Sequence, residues 1–271
     1  MALGKKIIVW DYKDMIKGDS SSSSIPDGGF SPSTDQVNLI NTPGIMFQPA
    51  QATDASTGLT GEMIASCEDP TGTYSRLYVS QDTDDDGRFF SLSTANVLTA
   101  RGSEDTAHNY IQGRTDMIAY KSEAYITTDS TIVRWSSIGN SNTFNTSFFS
   151  FNDAFAPHPA LVYQDSAYYG DGNLLKRQTS AGGAPTTTLT LTAGSVIVAL
   201  AIDPGSGKML ISVIGQYNIS DTINSGATVQ YYDGNSPQVS KIVPVEQMIT
   251  SFPTSEGGLY AAYGSNLGLW N

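Results

Sequence analysis

The chain has 271 residues and a net charge of −12, from 26 acidic and 14 basic side chains, the wrong sign for displacing counterions from a nucleic-acid backbone. Charged residues make up only 15%, while glycine (26), tyrosine (14) and phenylalanine (10) are plentiful, the composition of strands joined by polar turns. The single cysteine, Cys67, rules out an intrachain disulfide, and no apolar run reaches the roughly 20 residues of a membrane-spanning helix.

Lys5-Lys6-Ile7-Ile8-Val9-Trp10-Asp11 is β-branched and aromatic and predicts a strand. Its apolar core, Ile7 to Trp10, is too short for a secretion signal, so synthesis and maturation in a reducing cytoplasm are expected. Gly18-Asp19 and Ser20 to Ser24 follow and predict a flexible loop. Ile25-Pro26-Asp27-Gly28-Gly29-Phe30-Ser31-Pro32 is rich in turn formers, and Val37 to Met46 contains Pro43-Gly44, a type II turn pair. Residues 1–60 thus read as an extended N-terminal arm without a core of its own, ahead of a repeat domain over 61–271.

From Gly61 a unit of three or four short strands recurs about five times. Its second strand is marked by Leu77-Tyr78-Val79, Ala124-Tyr125-Ile126, Ala167-Tyr168-Tyr169, Met209-Leu210-Ile211 and Leu259-Tyr260-Ala261. An apolar run precedes each marker: Met63 to Ala65, Met117 to Ala119, Leu161 to Tyr163, Val198 to Leu200 and Met248-Ile249. A third run follows: Arg88 to Phe90, Ile132 to Trp135, Leu174 to Lys176, Val229 to Tyr231 and Leu267 to Trp270. A period of roughly 40–50 residues is that of a β-propeller blade. The fold class expected is therefore all-β, a propeller-like array of about five blades. Phe148-Phe149-Ser150-Phe151 and Thr186 to Thr192 alternate with period 2 and predict fourth, outer strands with one wet face. The fifth unit stops at its third strand, so strand Lys6 to Trp10 is expected to close the ring, unless the chain is part of a longer polypeptide.

Asp82-Thr83-Asp84-Asp85-Asp86-Gly87 matches the start of a calcium loop, in which alternate carboxylates converge on a hard cation and glycine allows the sharp turn. Loop position twelve, glutamate in an EF-hand, is Ser93, and position nine is Phe90. The sequence therefore reads first as an Asp-Gly hairpin, with Asp82, Asp84 and Asp86 the candidate calcium ligands it carries. No other cofactor is expected. Gly205-Ser206-Gly207-Lys208 lacks the leading glycine and trailing hydroxyl of a phosphate loop and predicts a turn. His108 and His158 are isolated, too few for zinc, and no Gly-x-Ser-x-Gly elbow is present. Cys67 reads as a buried, inert thiol, and the recurring tyrosines as packing between blades.

Lys6 to Asp11, the polar loop, Ile25-Pro-Asp-Gly-Gly-Phe-Ser-Pro and Val37-Asn-Leu before Thr42-Pro-Gly-Ile together resemble the opening of propeller-type minor structural proteins of tailed bacteriophages. There, an extended N-terminal segment precedes blade-like repeats. The resemblance implies a virion component of the tail, its junction with the capsid or a fibre, made in the host bacterial cytoplasm. It also implies an arm that contacts other virion proteins, membership of a symmetric oligomer, no membrane partner and no catalysis. It carries over no functional residues. The alternatives are a module recognising a cell-surface receptor or glycan, and a propeller glycoside hydrolase, whose carboxylate pair would come from separate blades.

Overall fold

The computed structural model describes residues 40–42, 45–47 and 62–270, apart from 83, 96, 154–156, 216–225, 246–247, 256–257 and 264–265. The strand expected at Lys6 to Trp10 and most of the arm lie outside them. Within the arm's span, β1 (Ile40–Thr42) pairs antiparallel with β2 (Ile45–Phe47) on either side of Pro43-Gly44.

All regular structure among the described residues is β. Four sheets follow one another, each a four-stranded antiparallel meander in which consecutive strands are neighbours. The first holds β3 (Glu62–Cys67), β4 (Arg76–Gln81), β5 (Gly87–Leu92) and β6 (Leu98–Asp105). The second holds β7 (Met117–Tyr120), β8 (Glu123–Thr127), β9 (Thr131–Ser136) and β10 (Thr143–Ser150). The third holds β11 (Ala160–Tyr163), β12 (Ser166–Asp171), β13 (Leu174–Gln178) and β14 (Thr186–Thr190). The fourth holds β15 (Val196–Ile202), β16 (Met209–Ile214), β17 (Thr228–Tyr232) and β18 (Lys241–Pro244). A fifth, three-stranded sheet comprises β19 (Thr254–Ser255), β20 (Gly258–Tyr263) and β21 (Asn266–Leu269). The first strands β3, β7, β11 and β15 neighbour one another in turn, so each sheet's inner edge faces the same side. This is a propeller-like arrangement.

Period-2 alternation explains why sheets stack this way. On β8, Ala124 and Ile126 turn back to the first sheet and join Leu77, Val79 and Phe89, while Tyr125 turns forward to meet Ala160, Ala167 and Tyr169. On β12, Tyr168 turns forward to Met209, Ile211 and Tyr232. On β16, Leu210 faces Leu259 and Ala261 of the fifth sheet. Each sheet therefore carries apolar residues on both faces of its two middle strands, and a separate core fills each gap between neighbours. The outer strands are wetter: β10 alternates exposed and half-buried positions along its length, and β18 is mostly exposed.

Two details differ from expectation. Met248-Ile249 is not a strand. Pairing in the fifth sheet starts with the Ser251–Ala262 bridge and is broken at Pro253, which has no N–H to give, before β19 begins. Ile249 is instead a buried plug whose carbonyl accepts a 2.7 Å bond from Ser212 Oγ. Tyr78 is also out of phase with Tyr125 and Tyr168. In β4 it is Leu77 and Val79 that fill the gap to the second sheet, while Tyr78 is half-buried outside that core.

Candidate functional site

In an antiparallel meander the turns between second and third strands lie at the same end as the links from one sheet to the next. This end gathers acids: Asp82, Asp84, Asp85, Asp86, Glu104, Asp105, Asp116, Asp129, Asp153 and Asp171, against Arg88, Arg114 and Lys176. It also carries the three aspartates singled out from the sequence.

The turn from β4 to β5 is organised by Asp82. Its Oδ1 accepts the backbone N–H groups of Asp84 (2.9 Å) and Asp86 (3.1 Å), which holds its carboxyl below the usual range. Asp85 occupies the left-handed region at φ 64° and accepts a hydrogen bond from the Gln81 side-chain amide. Oxygens of Asp82, Asp86 and Glu104 lie within 4.8 Å of one another. Asp84 is not in this group and is exposed. Asp86 is pushed upward, first by lost hydration and then by the charges of Asp82 and Glu104. Arg88 Nε donates to Glu104, so a guanidinium already faces the acids. The structure thus brings together two of the three expected ligands, replaces the third by Glu104, and pairs the cluster with an internal cation. Glu104 lies on β6, beyond the reach of a loop motif read along the sequence.

Beside it lies a knot that sequence reading missed. The buried Asp105 carboxylate accepts bonds from Tyr110 Oη (2.7 Å), His108 Nδ1 (2.9 Å) and the backbone N–H of Ala107 (3.1 Å). Burial, then the Asp105 charge, pushes the Tyr110 phenol well above its ordinary range. Gly87 is required here, because a Cβ at this position would stand 2.4 Å from the Tyr110 ring.

The next two sheets share a device of their own. Asn109, in the link entering the second sheet, donates its backbone N–H (3.2 Å) and side-chain amide (3.0 Å) to Asp129, 20 residues on. Asn152 does the same to Asp171, 19 residues on, at 2.8 and 2.9 Å. Each clasp pins a link to the following hairpin. Between the second clasp and Gly194-Ser195-Val196 runs an open cleft of about 470 Å³, lined also by Asp153, Asn173 and Leu174. The floor carboxylate of Asp171 is 1% exposed, with Lys176 Nζ 3.5 Å away.

The remaining motifs are structural. Asp203 caps the Gly205–Lys208 turn through the N–H groups of Gly205 and Ser206 (both 3.1 Å), so the phosphate-loop likeness is a turn. Burial pushes the Cys67 thiol up to about 12, which keeps it protonated and inert. His158 is fully buried between the second and third sheets.

The fold and this end define a propeller-like β protein with an acidic hairpin rim. No family model matches the chain, and no curated protein does. Among solved structures it is similar to the extracellular domain of a hybrid two component system from B. thetaiotaomicron, with TM-score 0.52 and 14% identity over 83% of this chain and 28% of that one. It is similar to Saccharomyces cerevisiae Sqt1, with TM-score 0.51 and 17% identity over 74% of this chain and 56% of that one. The nidogen/laminin complex gives TM-score 0.51 and 11% identity over 74% of this chain and 72% of that one. The chain thus spans 28% and 56% of the length of the first two. At such identities the likeness establishes the β fold alone.

Proposed function

We propose that this chain is a structural component of a tailed-phage virion, in the tail, its junction or a fibre, and acts as an assembly platform. The observation that carries this reading is the union of two unlike parts. One is a stack of sheets tied by a separate core in each gap and by side-chain clasps, suited to bearing load without moving. The other is the turn-rich arm of residues 1–60, whose sequence resembles the opening of phage propeller proteins and would be the part that meets neighbours. In this reading the array has about five blades. Strand Lys6 to Trp10 supplies the fifth sheet with its fourth, outer strand, and the loop from Gly18 to Pro49 meets other virion proteins within a symmetric oligomer. In this reading the acidic rim carries no catalysis, and the Asp82 turn is a structural hairpin whose Asp82, Asp86 and Glu104 sit beside Arg88.

The test is co-purification with particles of its virus, read by mass spectrometry of gradient-purified virions. Absence from intact particles overturns the reading. Deleting residues 1–11 separates the two jobs of the arm. A lower melting temperature of the isolated protein assigns the strand to ring closure, whereas unchanged melting with lost incorporation assigns it to a neighbour by strand addition.

The cleft at Asn152 and Asp171 favours a second reading, a receptor- or glycan-binding module. Its volume fits a sugar unit, and its lining of amides, a hydroxyl and carboxylates suits hydroxyl groups. Retention of the protein on immobilised host-surface glycans, lost in Asn173→Ala, would favour this reading over the first.

A further inference from the structure

We infer that the cleft at Asn152 and Asp171 takes a saccharide unit bearing a cationic amine; this rests on the glycan-binding reading above and narrows it. Three pieces of chain wall the cleft. Asn152 and Asp153 come from the link into the third sheet, Gly172 to Leu174 from its β12–β13 hairpin, and Gly194 to Val196 from the link into the fourth. The pieces are fixed to one another. Asp171 Oδ1 accepts the backbone N–H groups of Asn152 (2.8 Å) and Asp153 (3.1 Å). Asn173 exchanges two bonds with Leu191 (2.9 and 3.0 Å), and Ile197 N–H donates to the Gly172 carbonyl (2.9 Å). Gly172 sits at φ 58°, and a Cβ there would crowd Asp153 Oδ2 at 3.3 Å, so the turn and the seat of that carboxylate both call for glycine. The cleft is therefore shaped before a ligand arrives.

The lining asks for donors and a positive charge. The Asn152 amide nitrogen gives a hydrogen to Asp171 Oδ2 (2.9 Å), the Asn173 amide nitrogen to the Leu191 carbonyl, and the Ser195 hydroxyl to the Thr192 carbonyl (2.6 Å). Each asparagine keeps one amide hydrogen and a whole carbonyl oxygen, and Ser195 keeps lone pairs only. Asp153 adds a carboxylate, with room for about four hydrogen bonds. Among the described residues none of the lining side chains is basic. Lys176 is buried off the lining, and Asp171 matches its charge at 3.5 Å. The charge left at the cleft is that of Asp153, at an end where acids outnumber bases. At about 470 Å³ the space suits a ring better than the thin tail of a lysine, and half-buried Leu174 and Val196 offer an apolar wall to C–H groups. An amino sugar meets every part: an ammonium for Asp153, hydroxyls for the amide oxygens and Ser195, and a C–H face for the wall.

The test is titration of the 15N-labelled full chain at pH 5.5 with three β-1,4-linked tetrasaccharides that differ only at C2. The glucosamine form carries an amine there, the N-acetylglucosamine form an acetamide, and cellotetraose a hydroxyl. Backbone amides of Gly172, Asn173 and Gly194 should shift, and the glucosamine form should bind roughly tenfold tighter or more than the other two, the worth of one charge-assisted bond. Asp153→Asn, which keeps the shape and removes the charge, should bring the glucosamine form down to the level of the neutral sugars and leave theirs unchanged. Asp84→Asn, exposed at the same end outside the cleft, should change nothing. Equal binding of all three sugars overturns the amine and leaves the glycan reading standing, whereas no shift at those amides with any sugar overturns both. Equal losses in Asp153→Asn and Asp84→Asn assign the effect to the general field of the rim and overturn the site. Binding of N-α-acetyl-lysinamide as tight as that of the glucosamine form shows that the amine alone is read and overturns the saccharide.

Discussion

Tyr125 offers the sharpest test of whether the gaps between sheets are true cores. The ring is fully buried, with Tyr120 and Phe148 at centroid distances of 6.3 and 5.6 Å. Its hydroxyl donates to Glu123, which Arg134 also grips, and accepts the backbone N–H of Gly182 at 2.9 Å. Tyr125→Ala removes the ring from a site bounded by two sheets that cannot close on it, a loss of about 3–5 kcal/mol. Tyr125→Phe keeps the ring and removes only the hydroxyl. Gly182 is half-buried and keeps partial access to water, so the loss is mainly that of the bond to Glu123, about 1–2 kcal/mol. In melting temperature the two variants should fall by roughly 8–15 °C and 2–6 °C. Urea denaturation gives the free energies directly, and Tyr78→Ala serves as control, since Tyr78 is half-buried outside the four cores. Its loss should be well below that of Tyr125→Ala. A loss below about 0.5 kcal/mol for Tyr125→Ala would refute inter-sheet packing as the role of these tyrosines.

Gly87→Ala drives a methyl into the Tyr110 ring and should destabilise by about 1–3 kcal/mol; urea melting checks it, and an unchanged midpoint would show that the ring can yield. Asp116 is held above the ordinary carboxylate range by burial, partly offset by the N–H groups of Ala160 and Met117. Its ionisation therefore weighs against the fold at neutral pH, and the folded protein takes up that proton before the unfolded chain does as pH falls. The melting difference between the parent and Asp116→Asn should thus move in the parent's favour from pH 7 toward pH 4, and a constant offset contradicts it. Asp84→Ala should leave the melting temperature within about 2 °C of the parent, with or without millimolar calcium, because Asp84 stands outside the Asp82, Asp86 and Glu104 group. A calcium-dependent rise confined to the parent would restore Asp84 as a ligand.

Local pattern determined much of this protein. The period-2 runs around Leu77, Tyr125, Tyr168, Leu210 and Tyr260 all lie in strands and Gly205 to Lys208 in a turn, because strand and hairpin preferences act over a few residues. The hairpin expected at Asp86-Gly87 turns instead over Asp82 to Asp86, with Gly87 already the first residue of β5. The recurrence of those runs gave the succession of sheets, since each unit can bury its faces only against the next. Tertiary structure decided which face of each strand meets which neighbour. Tyr78 fell out of step where Tyr125 and Tyr168 did not, because Leu77 and Val79 on the opposite face of β4 fill the gap to the second sheet. Met248-Ile249 looked like a strand, but Pro253 moved the pairing onward and left Ile249 as a plug.

The polar device at the rim was half legible. The acids of the Asp82 turn stand together in the sequence, whereas Glu104 joins them only through the β5–β6 pairing. The Asn109–Asp129 and Asn152–Asp171 clasps leave a spacing of 20 and 19 residues that recurs in the text of the chain. Nothing local distinguishes those asparagines from turn residues, because each clasp exists only when a link folds back on the hairpin that follows it. His158 shows the same limit most plainly. Its flanking prolines are visible in the sequence, but the two carbonyls at its ring nitrogens belong to residues 12 and 29 positions away, on two sheets that only tertiary packing brings to the same ring.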